Sequence, residues 1–219
     1  MAAPLARAVR RSGSVALAAE GDARRRLMAL ARGAQTAGDF AMAVRAATVR
    51  IRKTAAAAAV SAVDAELRAI GIVPPLASAA SSAAVDASRA SAVVDSLTAR
   101  WAAEDAGGEL AGGSLADTIA TTASVEIFDA TNRARVARLS QAAALDDSVR
   151  MRWSGYLDPK ICPSCMALDG NVVRPADGFG QTPPLHPRCR CLIHAATEFF
   201  NAAGITDNSA KIRRIGSAA

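Results

Sequence analysis

All four cysteines and both histidines of this 219-residue chain fall within 33 residues, Cys162 to His194. They run as Cys162-Pro-Ser-Cys165, then 20 intervening residues, then His186-Pro-Arg-Cys189-Arg-Cys191, then His194. Between Met151 and Leu192 alanine is nearly absent, with only Ala167 and Ala176, while six prolines gather there: Pro159, Pro163, Pro175, Pro183, Pro184 and Pro187. Such a segment has neither helical periodicity nor enough large apolar side chains for a core of its own. It is expected to form short strands and loops around a local organiser.

Two chelating pairs separated by a loop match the pattern of a structural zinc site. In a two-residue turn both sulfurs can face one ion while backbone amides donate to them. Five groups compete for four tetrahedral positions: Cys162, Cys165, His186, Cys189 and Cys191. The first four are favoured because His186-x-x-Cys189 repeats the spacing of the first pair. Cys191 is the alternative, since on a strand it would share a face with Cys189. His194 reads as a surface or core histidine. Zinc in a small site supplies on the order of 10 kcal/mol of apparent folding free energy. Disulfides and free structural thiols are the competing readings. A redox pair at Cys162–Cys165 lacks the surrounding βαβ pattern, and a chain made in a reducing cytoplasm disfavours disulfides.

The first two-thirds of the chain reads differently. Of its 51% hydrophobic residues about half are alanine, and aromatics make up only 4%, so the expected core is thin and built from long Ala-packed helices. Phe40, Val44, Ile51, Val63, Leu67 and Ile70 form one helical stripe, which Gly71 and Pro74-Pro75 end. A second helix is expected from about Ser81 to Asp105 with Val85, Val93, Leu97 and Trp101 inward, closed by Gly107-Gly108 and a joint at Gly112-Gly113. Ser114 with Asp117 caps a third helix over 114–141, whose buried stripe would be Val125, Phe128, Val136 and Leu139. The Ala-Ser tract at 77–92 is low in complexity. The fold class is therefore α+β: an Ala-rich helical region over 1–113, then a domain over 114–219 with its Cys/His-organised segment at 151–195 and a short tail. No stretch reads as a membrane span, and no secretory signal is legible.

Charge is uneven. Residues 1–53 carry a local +8, residues 54–148 a local −6 and residues 149–219 a local +4, within a total of +6. The basic 1–53 arm invites non-specific DNA contact, because neutralising phosphates releases counterions. The competing reading is that its arginines solvate the polar faces of helices, since no aromatics are interleaved to stack on bases.

Trp153, Asp158, Cys162 and Cys165, Leu168-Asp169-Gly170, Phe179, Pro183-Pro184 and His186-Pro187-Arg188-Cys189-Arg190-Cys191 follow in that order. The series resembles the signature of the phage head morphogenesis family, the minor capsid proteins similar to the F protein of phage Mu. It covers Trp153 to Cys191 firmly, and the preceding helix, with Glu126 and Asn132 before Arg133, more loosely. The resemblance implies a phage or prophage virion-assembly protein of the head interior, partnered by portal, scaffold or capsid proteins, assisting DNA packaging or delivery, with no catalytic activity. Host cytoplasm during assembly and then the virion are its expected locations.

The motif residues also carry local readings. Asp169-Gly170 suits a hairpin turn between Met166-Ala167-Leu168 and Val172-Val173, and Asp158 could accept backbone amides ahead of the first cysteine. Two rival functions remain: a zinc-stabilised nucleic-acid-binding module, and a zinc-dependent nuclease. The nuclease would need a general base beside a second metal, and only His194 remains for that role.

Overall fold

In a computed structural model of the chain, residues 2–76, 87–107, 113–155 and 161–197 are described. Four long helices, α1 (Ala2–Gly33), α2 (Ala37–Ala69), α3 (Ala87–Asp105) and α4 (Leu115–Ala143), precede a small sheet interrupted by a short helix. The sheet holds β1 (Arg150–Ser154), β2 (Val172–Val173) and β3 (Leu192–Ala196), and α5 (Pro163–Leu168) lies between β1 and β2. Its order is β2-β1-β3 with both pairings antiparallel, Trp153 opposite Ile193 and Met151 opposite Val173. This is the expected α+β class.

The helix signals act where the sequence places them. Thr36 caps α2 by accepting from the Asp39 amide, and Ser114 caps α4 by accepting from Asp117. All six residues of the α2 stripe are buried, and Gly71 takes the left-handed φ of +85° that lets the chain leave the helix. In α3, Leu97 and Trp101 are buried, and Trp101 stacks on Phe40 at 5.7 Å while its indole N–H donates to the Ala31 carbonyl at 2.9 Å. Val94 is buried there and Val93 only half so. Val85, Gly108, Gly112, most of the Ala-Ser tract and the tail after Thr197 lie outside the described residues.

The basic residues 1–53 belong to packed helices: α1 lies against α2 and α4, with Leu5, Ala16, Ala23 and Leu27 buried. Two expectations need correction. The α4 stripe is wrong in part, because Val125 and Val136 are only half-buried while Ile119, Ala123 and Ile127 are fully covered. That helix is enclosed on nearly all sides by α1, α2, α3 and the sheet, so no single stripe describes it. Among the arginines of residues 1–53, Arg52 does not solvate a helix face, whereas Arg7, Arg11, Arg25 and Arg32 are exposed. Arg52, Arg135 and Arg138 are buried, with Glu66, Glu126 and Asp129 buried beside them.

These charges tie the elements together. Arg52 of α2 reaches Glu126 at 2.5 Å and Asp129 at 2.7 Å on α4. Arg138 of α4 returns to Asp64 of α2 with two bonds, at 2.7 and 3.0 Å. Glu66 accepts from Ser12 of α1 at 2.8 Å, from Arg135 of α4 at 2.6 Å and from the Ala195 amide of β3 at 2.9 Å. Bonds of this charge-assisted kind are the strong ones, and a buried charge is tolerated because every ligand of it is supplied.

The same side chains finish the sheet. Every residue of β3 stands opposite one of β1, but the backbone groups of alternate residues point away from it, among them the Ile193 amide and carbonyl and the Ala195 amide. Asn132 donates to the Cys191 carbonyl and accepts from the Ile193 amide, both at 2.9 Å. Arg135 donates through Nε to the Ile193 carbonyl, and Glu66 takes the Ala195 amide. Helix side chains thus stand in for a fourth strand.

Burial would push the Glu66 carboxyl up, but the Arg135 guanidinium, His194 and the Ala195 amide outweigh it and hold it well below the usual carboxylate range. Burial holds His194 below the ordinary histidine value against the pull of Glu66. Its Nδ1–H then donates to Glu66 at 3.0 Å from a neutral ring. Both groups bind protons more readily when unfolded, so both make stability fall as pH drops. The urea midpoint should decline below about pH 6.5 through His194 and again below about pH 4.3 through Glu66. In His194→Gln the first decline should flatten. Glu66→Gln, which leaves Arg135 buried without its counter-charge, should cost about 3–5 kcal/mol at pH 7. Asn132→Leu orphans two buried backbone groups and should cost about 2–4 kcal/mol. Hydrogen exchange at the Ile193 amide reads this directly, and an amide that stays protected in the variant would contradict the sheet-edge role.

Candidate metal centre

Cys162 opens α5 as its N-cap: its sulfur accepts from the Cys165 amide at 3.3 Å, and Pro163 occupies the first helical turn, where no N–H is needed. The chain through Met166-Ala167-Leu168 is therefore helical, and the expected hairpin about Asp169-Gly170 does not form. A cap and a proline start the helix more strongly than an Asp-Gly pair specifies a hairpin. Gly170, at φ +86°, turns the chain from α5 into β2, and its amide donates to the Trp153 carbonyl at 2.9 Å. Asp169 accepts from the Gly155 amide at 2.6 Å, locking the end of β1 to this turn.

The second ligand pair arrives on a tight turn. The Cys189 amide donates to the His186 carbonyl at 3.1 Å, and Arg188 between them adopts a left-handed φ of +63°. Such a conformation in a non-glycine residue costs of order 1 kcal/mol and needs support from its surroundings. Arg188 Nε donates to the Thr121 hydroxyl of α4 at 3.3 Å, which anchors the turn to the helix. Cys189 and Cys191 are both buried, but they precede β3 rather than lie on it. The shared strand face is therefore not what brings them together. The Cys191 amide, which bonds the Cys189 sulfur, links them directly.

The donors converge in two overlapping groups. The ligand atoms of Cys162, Cys165 and His186 lie within 4.8 Å of one another, as do those of Cys165, Cys189 and Cys191. Cys165 is common to both, its sulfur 3.4 Å from His186 Nε2 and 3.6 Å from the Cys189 sulfur. Neighbouring sulfurs around a tetrahedral ion with metal–sulfur bonds of about 2.3 Å stand about 3.8 Å apart, so these separations suit a shared ion. All four cysteines are free thiols. The His186 ring is already oriented: its Nδ1 bonds the Pro187 carbonyl at 2.8 Å, which makes Nδ1 the protonated nitrogen and leaves the Nε2 lone pair facing the sulfurs. A ligating histidine is ordinarily fixed by such a bond through its other nitrogen.

Electrostatics point the same way. Burial and the Cys162 thiol push Cys165 up to about 12, and the Cys189 thiol together with burial raises Cys191 further still. Bonds from Cys191 and from the Cys191 and Leu185 amides bring Cys189 down to about 5 despite its burial. Burial resists ionisation of Cys162, yet the Cys165 amide and thiol outweigh it. A soft thiolate–imidazole set of this kind fits zinc or a related borderline metal.

The remaining motif residues are architectural. Trp153 is fully buried at the centre of the lower core, edge-on to Phe179 at 5.5 Å. His194 is a core histidine whose Nδ1 is taken up by Glu66. Asp158 lies outside the described residues. Sequence reasoning overlooked Glu66 and Arg135, which secure the strand entering from the centre, and passed over Asn132 except as a loosely fitting helix residue.

Comparison with known proteins agrees with this geometry. Neither the curated proteins nor the solved structures contain a match, whereas the family model described as Phage Mu protein F like protein matches residues 78–194. The match begins ahead of α3, takes in α4, β1, α5 and β2, and ends within β3 at the histidine that Glu66 holds. It spans more than half of the 219 residues, and the chain belongs to the Phage Mu protein F like family, a family of phage head morphogenesis proteins.

Proposed function

We propose that this chain is a minor protein of the phage head interior, associated with the portal or with scaffold or capsid proteins and assisting DNA packaging or delivery. It would assemble in the host cytoplasm and remain in the virion. The observation that carries this reading is the family match over residues 78–194, with the histidine–cysteine motif inside it folded into a metal-binding geometry. Among the described residues no helix is long and apolar enough to cross a membrane. Contact with packaged DNA would run along the outer face of α1, where Arg7, Arg11, Arg25 and Arg32 are exposed.

Within that role the metal is zinc, and it is structural. Its ligands are Cys162, Cys165, His186 and Cys189, with Cys191 a protonated neighbour. Cys189 is preferred to Cys191 because His186-x-x-Cys189 repeats the spacing of Cys162-x-x-Cys165 and its sulfur lies 3.6 Å from that of Cys165. The ion's task is to clamp α5 to the His186–Cys189 turn, two pieces with few large apolar side chains of their own.

The full chain purified without chelator should carry about one zinc per molecule by mass spectrometry. Cys162→Ser and Cys189→Ser should release it, and Cys191→Ser should retain it. Zinc kept by Cys189→Ser and lost by Cys191→Ser would exchange the two roles. For the assembly role, gradient-purified DNA-filled heads should contain the chain, and Cys162→Ser should be poorly incorporated. Heads free of the protein, from lysates in which it is abundant, would overturn the head-interior assignment.

A further inference from the structure

Four chain ends meet at one end of the helix bundle. Arg52 with Glu126 and Asp129, Asp64 with Arg138, and Glu66 with Arg135 pair residues that advance together along α2 and α4. These helices therefore run parallel and finish side by side. From there α4 leads into β1, and the antiparallel β3 ends with Ala196 opposite Arg150, the first residue of β1. Ile70 and Ile72 after α2, Ala142 late in α4, Val149 ahead of β1 and Ala195 of β3 are buried in one core cluster. At this same end Val73, Leu76 and Leu145 are 84%, 95% and 74% exposed. The Pro75 carbonyl, between the first two, accepts from Arg138 at 2.7 Å, which holds that segment against α4. The other large apolar side chains exposed among the described residues, Val15 and Met42, stand apart, midway along α1 and near the start of α2. Single exposed apolar side chains are ordinary, whereas three gathered where the chain leaves the fold call for a cover.

We propose that residues 198–205 of this chain are that cover, with Phe199, Phe200 and Ile205 laid over Val73, Leu76 and Leu145. These residues lie outside the described ones and follow directly on Thr197, the residue after β3. An extended chain advances ~3.3 Å per residue, so the two rings stay within about 10 Å of Thr197. The chain thus delivers its own apolar side chains to the end of the bundle where others are bare. Phe199 and Phe200 are two of the five phenylalanines in a chain with 4% aromatics, and each ring buries about 150–250 Å² of surface. A segment tethered a few residues away acts at an effective concentration of about millimolar. A second copy of the chain or another head protein has no such advantage. The proposal goes beyond the head-assembly role and does not depend on it.

The test uses the full chain, purified without chelator and labelled at its Val, Leu and Ile methyl groups for NMR. Cross-peaks are expected from the Phe199 or Phe200 ring to the Leu76 and Leu145 methyls. The double variant Phe199→Ser/Phe200→Ser should shift those methyl signals and leave the remote core methyls of Leu27 and Ile127 in place. A second variant leaves the segment itself intact. Leu76→Glu/Leu145→Glu alters two exposed positions, and it should make chymotryptic cleavage after Phe199 or Phe200 at least tenfold faster than in the parent chain, read by mass spectrometry. Leu76 and Leu145 methyls with no aromatic neighbour, or signals unmoved by the double phenylalanine variant, would overturn the proposal. Equal cleavage rates in the parent and the glutamate variant would overturn it too. Cross-peaks that arise only between differently labelled chains of a mixed sample would assign the cover to a second copy and overturn it as well.

Discussion

The outer edge of β3 is closed by side chains, and the rest of the structure depends on that closure. A three-stranded sheet whose flanking strand β2 has two residues is too small to stand alone. Left bare, its outer edge would expose unpaired backbone groups inside the protein. Asn132, Arg135 and Glu66 take every one of those groups between Cys191 and Ala195 that points away from β1. Because two of these residues sit on α4 and one on α2, the closure also sets the sheet's register against the helices. A slip of β3 by one residue would present the wrong backbone groups to all three.

This arrangement compensates for an alanine-rich core. Ala16, Ala23, Ala55, Ala56, Ala59, Ala123, Ala130 and Ala134 are all buried in the core cluster that also holds Phe40, Leu97, Trp101 and Phe128. Small residues let α1, α2 and α4 approach closely but contribute little burial energy and little to distinguish one register from its neighbours. The pairs Arg52 with Glu126 and Asp129, Arg138 with Asp64, and Arg135 with Glu66 distinguish it, since each is satisfied in a single alignment. Breaking one partner costs more than the intact pair contributes, so these contacts specify the fold more than they stabilise it.

The metal cluster and the sheet edge act on the same few residues from opposite ends. Cys189 and Cys191 face the donor cluster, while the Cys191 carbonyl is held by Asn132 and the chain runs directly into β3. A cation at the cluster would fix the start of the strand, and the buried ion pairs fix its end.

Much of this was legible in the sequence, for definable reasons. Helix stripes such as Phe40-Val44-Ile51, the Ser114 cap, the Gly71 stop and the clustering of cysteine and histidine are local patterns, so spacing alone reveals them. The ordered motif from Trp153 to Cys191 revealed the family. Other features were hidden because their partners are remote. Glu66 and Arg135 are 69 positions apart and look like solvated helix charges until the helices are packed. The segment after Cys162 reads as a strand before a turn until its cap and Pro163 are seen to start a helix. By itself the sequence determined α2, α3 and α4 and the chemistry of the donor set, because these are written in neighbouring residues. Only the tertiary structure decided which charges are buried, which nitrogen of His186 faces the sulfurs, and that helix side chains complete the sheet, because each of these is settled by contacts between distant parts of the chain.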